Sequence, residues 1–331
     1  MDAVFLGALD IGGSKIAATI ANRSGPLARV TQATIKSGTP DAIARQCLQL
    51  LALVCERAGV ATNEVSSLGV SSCGPFAVQD QALGLVAPNL CGGLTDSVDL
   101  PNDWTFIPLE TILRTRYAQV AIENDCIAAL TAERHFGAAQ NLDNCVYVTW
   151  STGIGFGLCV DGHILRGKHG NAGHAGHMLL SSSEDALCGC GNRGDLEALV
   201  SGRNLGNQHG QSAADIFSAA HAGEARALAI VHDAARWFGR GLYNLATTLD
   251  TQCFLLGGSV WRHHADLLTP IIEAEMMSRF PALIAGITIR SAALDELVAD
   301  VGALALVMPQ EWMADWRLHS PWLNLQTHPV V

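Results

Sequence analysis

Three short hydrophobic runs in this chain each end on a glycine-rich turn, and that recurrence restricts the fold more than any other feature. The first run, VFLGALDI (residues 4–11), is followed by Gly12, Gly13 and Ser14 and then by a second run, KIAATIAN (15–22). NCVYVTWS (144–151) passes through TGIGFG (152–157) into another run at 157–161. Residues 253–256 stop at Gly257, Gly258 and Ser259. Short apolar runs bounded by turn residues predict buried strands. Strand, tight turn and strand therefore occur twice, which predicts an α/β chain of duplicated architecture.

The remaining periodicity fills in around these turns. Residues 27–35, 66–72, 118–123 and 287–291 read as strands, and 126–136, 223–249, 264–278 and 295–307 as helices. In 40–58, Ile43, Cys47, Leu50, Leu51, Val54 and Cys55 fall on one helical face. The first part thus reads β-β-β-α-β. The end, 309–331, carries Trp312, Trp316 and Trp322 without a catalytic pattern and is expected to cover a surface or join an oligomer contact.

Composition then narrows the function classes. A chain of 331 residues normally divides into two domains. A formal net charge of −11 argues against nucleic acid as a partner, although backbone amides and a metal ion can still hold a phosphate. Eight of the ten cysteines are scattered singly, several inside apolar runs, as expected of buried free thiols in a reducing compartment. No secretory leader pattern and no apolar run of about 20 residues is present, so a cytoplasmic location away from the membrane is expected.

Several constellations carry chemistry. Asp10 closes a strand beside Gly12, Gly13, Ser14 and Lys15, where bare backbone can approach phosphate oxygens and the carboxylate can orient Mg²⁺; an ordinary hairpin turn is the alternative. Gly13 stands where a P-loop lysine is required. The glycines of 153–157 miss the dinucleotide-binding spacing, which excludes a nicotinamide-dependent enzyme. Asn124 and Asp125 close another strand, either as a helix cap or as a base with its neighbouring ligand. Residues 171–197 concentrate His174, His177, Cys188, Cys190, Asp195 and Glu197. His177, Cys188, Cys190 and Asp195 have the composition of a four-ligand zinc site, with two buried thiols in a glycine loop as the alternative.

Taken in order, LDIGGSKIAATI, IENDCIAA, YVTWSTGIGFG, GNAGHAGH, CGCGNRGDLEALVSGRNL, LLGGSV and DVGALAL resemble the ROK family of sugar kinases and repressors over about residues 5–307. The resemblance implies two RNase-H-like (actin/hexokinase-type) α/β domains around a central cleft. These would be a small domain of residues 1–123 plus about 300–331, and a large one of 124–299 that carries the zinc and sugar loop. It implies transfer of the γ-phosphoryl of ATP to a hexose hydroxyl, O6, with Mg²⁺ and a structural Zn²⁺, in a homodimer. Asp125 becomes the general base and Asn124 a hydroxyl ligand. Asp10, Gly12 and Gly13, with Ser14 and Lys15, become the first phosphate loop, Thr152 and Gly153 the second, and Gly257 and Gly258 the adenosine contact. His177 becomes both zinc ligand and sugar neighbour, while Glu197, Gly74 and Asn89 contact the sugar.

Two departures from the family pattern bear on specificity. GHAGH replaces the more frequent GExGH, placing His174 where a glutamate is usual. This resembles members of the family that act on N-acetylmannosamine, with glucose or another hexose as the alternative acceptor. A neutral imidazole can donate as well as accept, unlike a carboxylate. Asp195 stands at the third cysteine ligand of the family. The repressors of the family carry an N-terminal helix-turn-helix of several dozen residues, for which Asp10 comes too early.

Overall fold

The computed structural model describes residues 4–92, 100–101, 103–182 and 186–327. The chain forms two compact units, one of residues 1–140, 166–172 and 296–331, the other of 141–165 and 173–295. The expected boundary at 123/124 falls inside the first unit.

The first unit opens with β1 (Phe5–Ile11), β2 (Lys15–Asn22), β3 (Gly25–Ala33), α1 (Ala42–Ala58) and β4 (Val65–Ser72), the β-β-β-α-β order read from the sequence. A hairpin of β5 (Phe76–Gln79) and β6 (Ala82–Leu85) follows, then the short helices α2 (Pro88–Cys91) and α3 (Leu109–Leu113), β7 (Val120–Asn124) and α4 (Asp125–Phe136). The sheet order is β3-β2-β1-β4-β7. The first three strands are antiparallel, and β1, β4 and β7 are parallel. Every residue assigned to the apolar face of α1 is buried.

The second unit contains β8 (Cys145–Trp150), β9 (Ile154–Val160), β10 (His163–Ile164), α5 (Leu196–Val200), α6 (Gly202–His209), α7 (Ala213–His221), α8 (Ala225–Leu249), β11 (Cys253–Gly257), α9 (Ser259–Met277) and β12 (Thr288–Ser291). Its sheet, β10-β9-β8-β11-β12, repeats the first: three antiparallel strands and then two more parallel to β8. The duplication inferred from the glycine turns is therefore real at the level of topology. Its core is built around Trp150, whose ring stacks on Phe238 at 4.2 Å.

The chain then returns to the first unit as α10 (Val298–Ala305) and α11 (Gln310–His319). Along β2, Ile16, Ala18 and Ile20 join the core shared with α1, while Thr19 points to Asp300 of α10. Strand alternation thus places α1 and α10 on opposite faces of the sheet. A Cβ on Gly69 would stand 1.8 Å from the Ala303 carbonyl oxygen, and one on Gly302 would stand 2.7 Å from that of Ala128. These glycines let α10 sit directly on β4 and α4. The tryptophans of the C-terminal segment, Trp312, Trp316 and Trp322, are buried in the first unit, and Phe136 of α4 contacts the last two. The indole of Trp316 donates to the Arg23 carbonyl at 3.0 Å, which ties the segment to the start of the chain. Among the described residues no helix is long and apolar enough to cross a membrane.

Candidate functional site

In the first unit the parallel strands deliver carboxylates to one end of the sheet. Asp10 ends β1 one residue before Ile11, and Asn124 ends β7 in register with Ser72 of β4. The Asn124 side chain caps α4, accepting from the Cys126 N–H at 2.9 Å; Asp125 Oδ1 accepts from the same N–H at 2.8 Å. Asn124 is therefore a helix cap, and its side chain also hydrogen-bonds the Asp125 carboxyl. Burial pushes the Asp125 carboxyl above the ordinary carboxylate range, against the lowering effect of the N-terminal amides of α4. Asp10 is pushed up to about 7, first by burial and then by the negative charges of Asp300 and Asp125, with Arg29 and Lys15 offsetting only part of this. Asp300 itself accepts from Thr19 Oγ1 at 2.7 Å and Arg29 Nε at 3.0 Å. A divalent cation would relieve this crowding of Asp10 and Asp125, so the residues present fit Mg²⁺.

The turn that follows Asp10 is a closed hairpin. Gly12 donates its N–H to the Lys15 carbonyl at 3.0 Å, and Ser14 and Lys15 are exposed. The alternative drawn from the sequence is thus the local geometry of this turn. A Cβ on Gly13 would lie 3.1 Å from the Asn89 carbonyl, so α2 brings Asn89 against the first glycine turn. Gly74 follows β4 and precedes Pro75 through a cis peptide bond.

In the second unit the other two glycine turns meet. Ser151 Oγ and Ser259 Oγ are 3.0 Å apart. The Ser151 and Thr152 carbonyls accept the first N–H groups of α6, from Gly202 at 2.9 Å and Arg203 at 3.1 Å. Gly258 begins α9 at φ +86°, and a Cβ there would be 2.4 Å from the Trp150 carbonyl oxygen, so no other residue fits. Beside these turns lies a cavity of about 720 Å³, lined among others by Ser151, Thr152, Arg203, Phe217, Ser259 and His264. Its lining combines bare turn backbone, hydroxyls and the N-terminus of a long helix with aromatic rings. That is the chemistry a nucleotide requires.

The metal-competent residues also converge. A single 3₁₀ turn over Ala175–His177 sets the His174 and His177 rings nearly parallel, 18° apart. The chain reverses tightly between Cys188 and Asn192, with Gly191 at φ +92°. The donor atoms of His177, Cys188, Cys190 and Asp195 all lie within 4.8 Å of one another. Zinc bonds of about 2.3 Å to sulfur and about 2.0–2.1 Å to nitrogen, at the tetrahedral angle, set an N···S edge near 3.6 Å. His177 Nδ1 stands 3.7 Å from Cys188 Sγ and 3.5 Å from Cys190 Sγ. Asp195 Oδ2 is 3.1 Å from the same nitrogen and 3.6 Å from Cys190 Sγ. This donor set fits a structural zinc ion. Asp195 holds this position because its other oxygen, Oδ1, caps α5 through the Ala198 N–H at 2.7 Å.

Glu197 and Gly153 are paired within this unit. Glu197 Oε2 accepts from the Ile154 N–H at 2.9 Å, and a Cβ on Gly153 would come 2.8 Å from that oxygen. His174 is different: its Nε2 is buried with no hydrogen-bond partner among the described residues. Burial, and then the neighbouring His177, hold its ring toward the neutral form.

Sequence reasoning placed Ser259 in the third glycine turn but did not find Arg203, Phe217 or His264, nor helices α5 to α7. A signal existed. Ser201 and Ser212 cap α6 and α7 by accepting from Asn204 and Asp215, and S-x-x-D at 212–215 is a legible helix start.

Two sheets of this order, each with a strand-end turn and a helix behind it, define an actin-like, RNase-H-type α/β protein, as the resemblance implies. Comparison with known proteins agrees and is more specific. The ROK family model matches residues 6–310. An N-acetylmannosamine kinase from Citrobacter koseri is 33% identical over 261 residues, 76% of this chain and 82% of the relative. Among solved structures, the ROK hexokinase of Thermus thermophilus superposes with a TM-score of 0.71 at 28% identity, covering 91% of this chain and 97% of that one. A ROK family glucokinase from Streptomyces griseus, solved with glucose and AMPPNP, gives 0.69 at 27% identity, covering 90% and 97%. The chain belongs to the ROK family.

Proposed function

We propose that this ATP-dependent ROK sugar kinase phosphorylates the 6-hydroxyl of N-acetylmannosamine. The kinase class follows from the family and from its relatives. The observation that carries the choice of sugar is His174, whose buried Nε2 requires a partner that a bound ligand would supply. A neutral imidazole can meet a hydroxyl or an N-acyl group as donor or acceptor, where the glutamate usual in the family could only accept. The Citrobacter koseri relative supports the same acceptor.

The roles follow from the local chemistry. The first unit supplies Asp125 as the base that takes the hydroxyl proton, with Asn124, Gly74 and Asn89 as sugar contacts. Its raised pKa suits it to accept that proton. Asp10, beside the turn of Gly12, Gly13, Ser14 and Lys15, faces the phosphates. Mg²⁺, when bound, would be oriented by Asp10 and would neutralise phosphate charge, which leaves Asp125 free to act as the base; positioning accounts for most of the remaining acceleration. The second unit supplies the nucleotide cavity, entered at Thr152 and Gly153 and bounded by the turn at Gly257 and Gly258. It also supplies His174, His177 and Glu197 for the sugar. Zinc on His177, Cys188, Cys190 and Asp195 would fix the loop that holds these sugar ligands and take no part in the chemistry.

An ADP-release assay across N-acetylmannosamine, glucose, mannose and N-acetylglucosamine tests this reading. The highest kcat/KM is expected for N-acetylmannosamine, and His174→Glu should shift preference toward glucose. A higher kcat/KM for glucose in the wild type would overturn the assignment.

A further inference from the structure

The lining of the cavity in the second unit includes a feature that the roles above leave unused. Helix α9 bends at His264, whose φ of −138° and ψ of 17° lie outside the helical range. The ring of His264 lies flat on Phe217, with centroids 4.2 Å apart and planes 4° from parallel. Its Nδ1 is 3.0 Å from Nε2 of His221, the last residue of α7. Phe217 is buried, whereas His264 is half-buried and lines the cavity. One face of the imidazole is thus covered, and one nitrogen is engaged. What remains toward the cavity is a flat aromatic face held in a fixed orientation.

We propose that His264 is a specificity-determining residue for the phosphoryl donor: its imidazole, backed by Phe217 and tethered by His221, is the surface on which the nucleotide base stacks. Hydroxyls and turn backbone at Ser151, Thr152 and Ser259 line the same cavity, which suits phosphate and ribose. A base needs a π-surface and gains little from hydroxyls. Holding the ring in advance removes the entropy cost of ordering it when the nucleotide binds. The inference rests on reading this cavity as the nucleotide site.

The test uses the full chain. Mg-ADP binding is measured by titration calorimetry, and KM for ATP and for sugar, with kcat, by coupled assay. Tripolyphosphate, which has no base, serves as a competing probe. His264→Ala is expected to raise the ADP Kd and the ATP KM about tenfold, as removal of a base-stacking ring does. It should leave sugar KM, kcat and inhibition by tripolyphosphate within twofold. His264→Phe, which keeps the ring, should recover most of the loss, and His221→Ala, which removes only the tether, should cost about threefold. Unchanged ADP affinity in His264→Ala would overturn the proposal. So would equal weakening of ADP and tripolyphosphate, which would mark a general collapse of the cavity. If wild-type protein turns over ATP but His264→Ala and Thr152→Ala both bind ADP normally, the reading of the cavity itself fails.

Discussion

The chain handles two sets of buried carboxylates in opposite ways. Asp195, fully buried at 0% exposure, carries the burden of burial, yet its carboxyl sits below the ordinary range. His177 and the Ala198 N–H outweigh the desolvation. Asp10 and Asp125 sit above it: at Asp125 burial outweighs the amides of α4, and at Asp10 burial together with the charges of Asp300 and Asp125 outweighs Arg29 and Lys15. The first arrangement is complete within the fold up to a metal ion that would share its ligands. The second is left short of positive charge, so it holds free energy that a cation or a proton can relieve. A satisfied carboxylate builds structure; an under-compensated one is available for chemistry.

The largest test of that contrast is Asp125→Asn. It should reduce kcat by about 10²–10⁴-fold, the usual worth of a general base, while calorimetry shows sugar affinity retained. Turnover above a tenth of wild type would remove Asp125 from the base role. Next, Cys190→Ala or chelation should abolish one equivalent of bound zinc by metal analysis and raise the sugar KM several-fold. Melting temperature should fall by roughly 2–4 °C for each kcal/mol lost. Full activity in metal-free protein would separate the loop from its ion.

A smaller effect is expected from pH. A base must be deprotonated, so activity is lost as pH falls through its folded pKa. The raised pKa values of Asp125 and Asp10 therefore place the acid limb of kcat/KM well above the range of an ordinary carboxylate. Asp300→Asn keeps the acceptor for Thr19 but removes one of the charges that raise Asp10. The acid limb should move down by about half a pH unit to one unit, given that each unit corresponds to about 1.4 kcal/mol. An unmoved limb in that variant would show that Asp10 does not govern it.

Much of this was legible in the sequence because it is local. The strands flanking the glycine turns, the apolar face of α1 and the Asn124 cap follow from residue spacing alone. So did the four metal-competent residues, since they lie within 19 residues of chain. The hairpin β5-β6 and the short helices were not legible, because four or five residues carry too little periodicity. What the C-terminal tryptophans pack against was not legible, because their partners, Phe136 and the Arg23 carbonyl, lie far away along the chain.

The sequence by itself determined which elements form, where the turns fall, and which side chains could bind a metal or move a proton. Only the tertiary structure decided what those groups experience. The repulsion of Asp300 on Asp10, separated by 290 residues, exists only once α10 packs on the sheet. The meeting of Ser151 with Ser259, and of Phe217 with His264, likewise depends on parallel strands and packed helices. Burial and charge are sums over neighbours in space, and the chain order does not contain them.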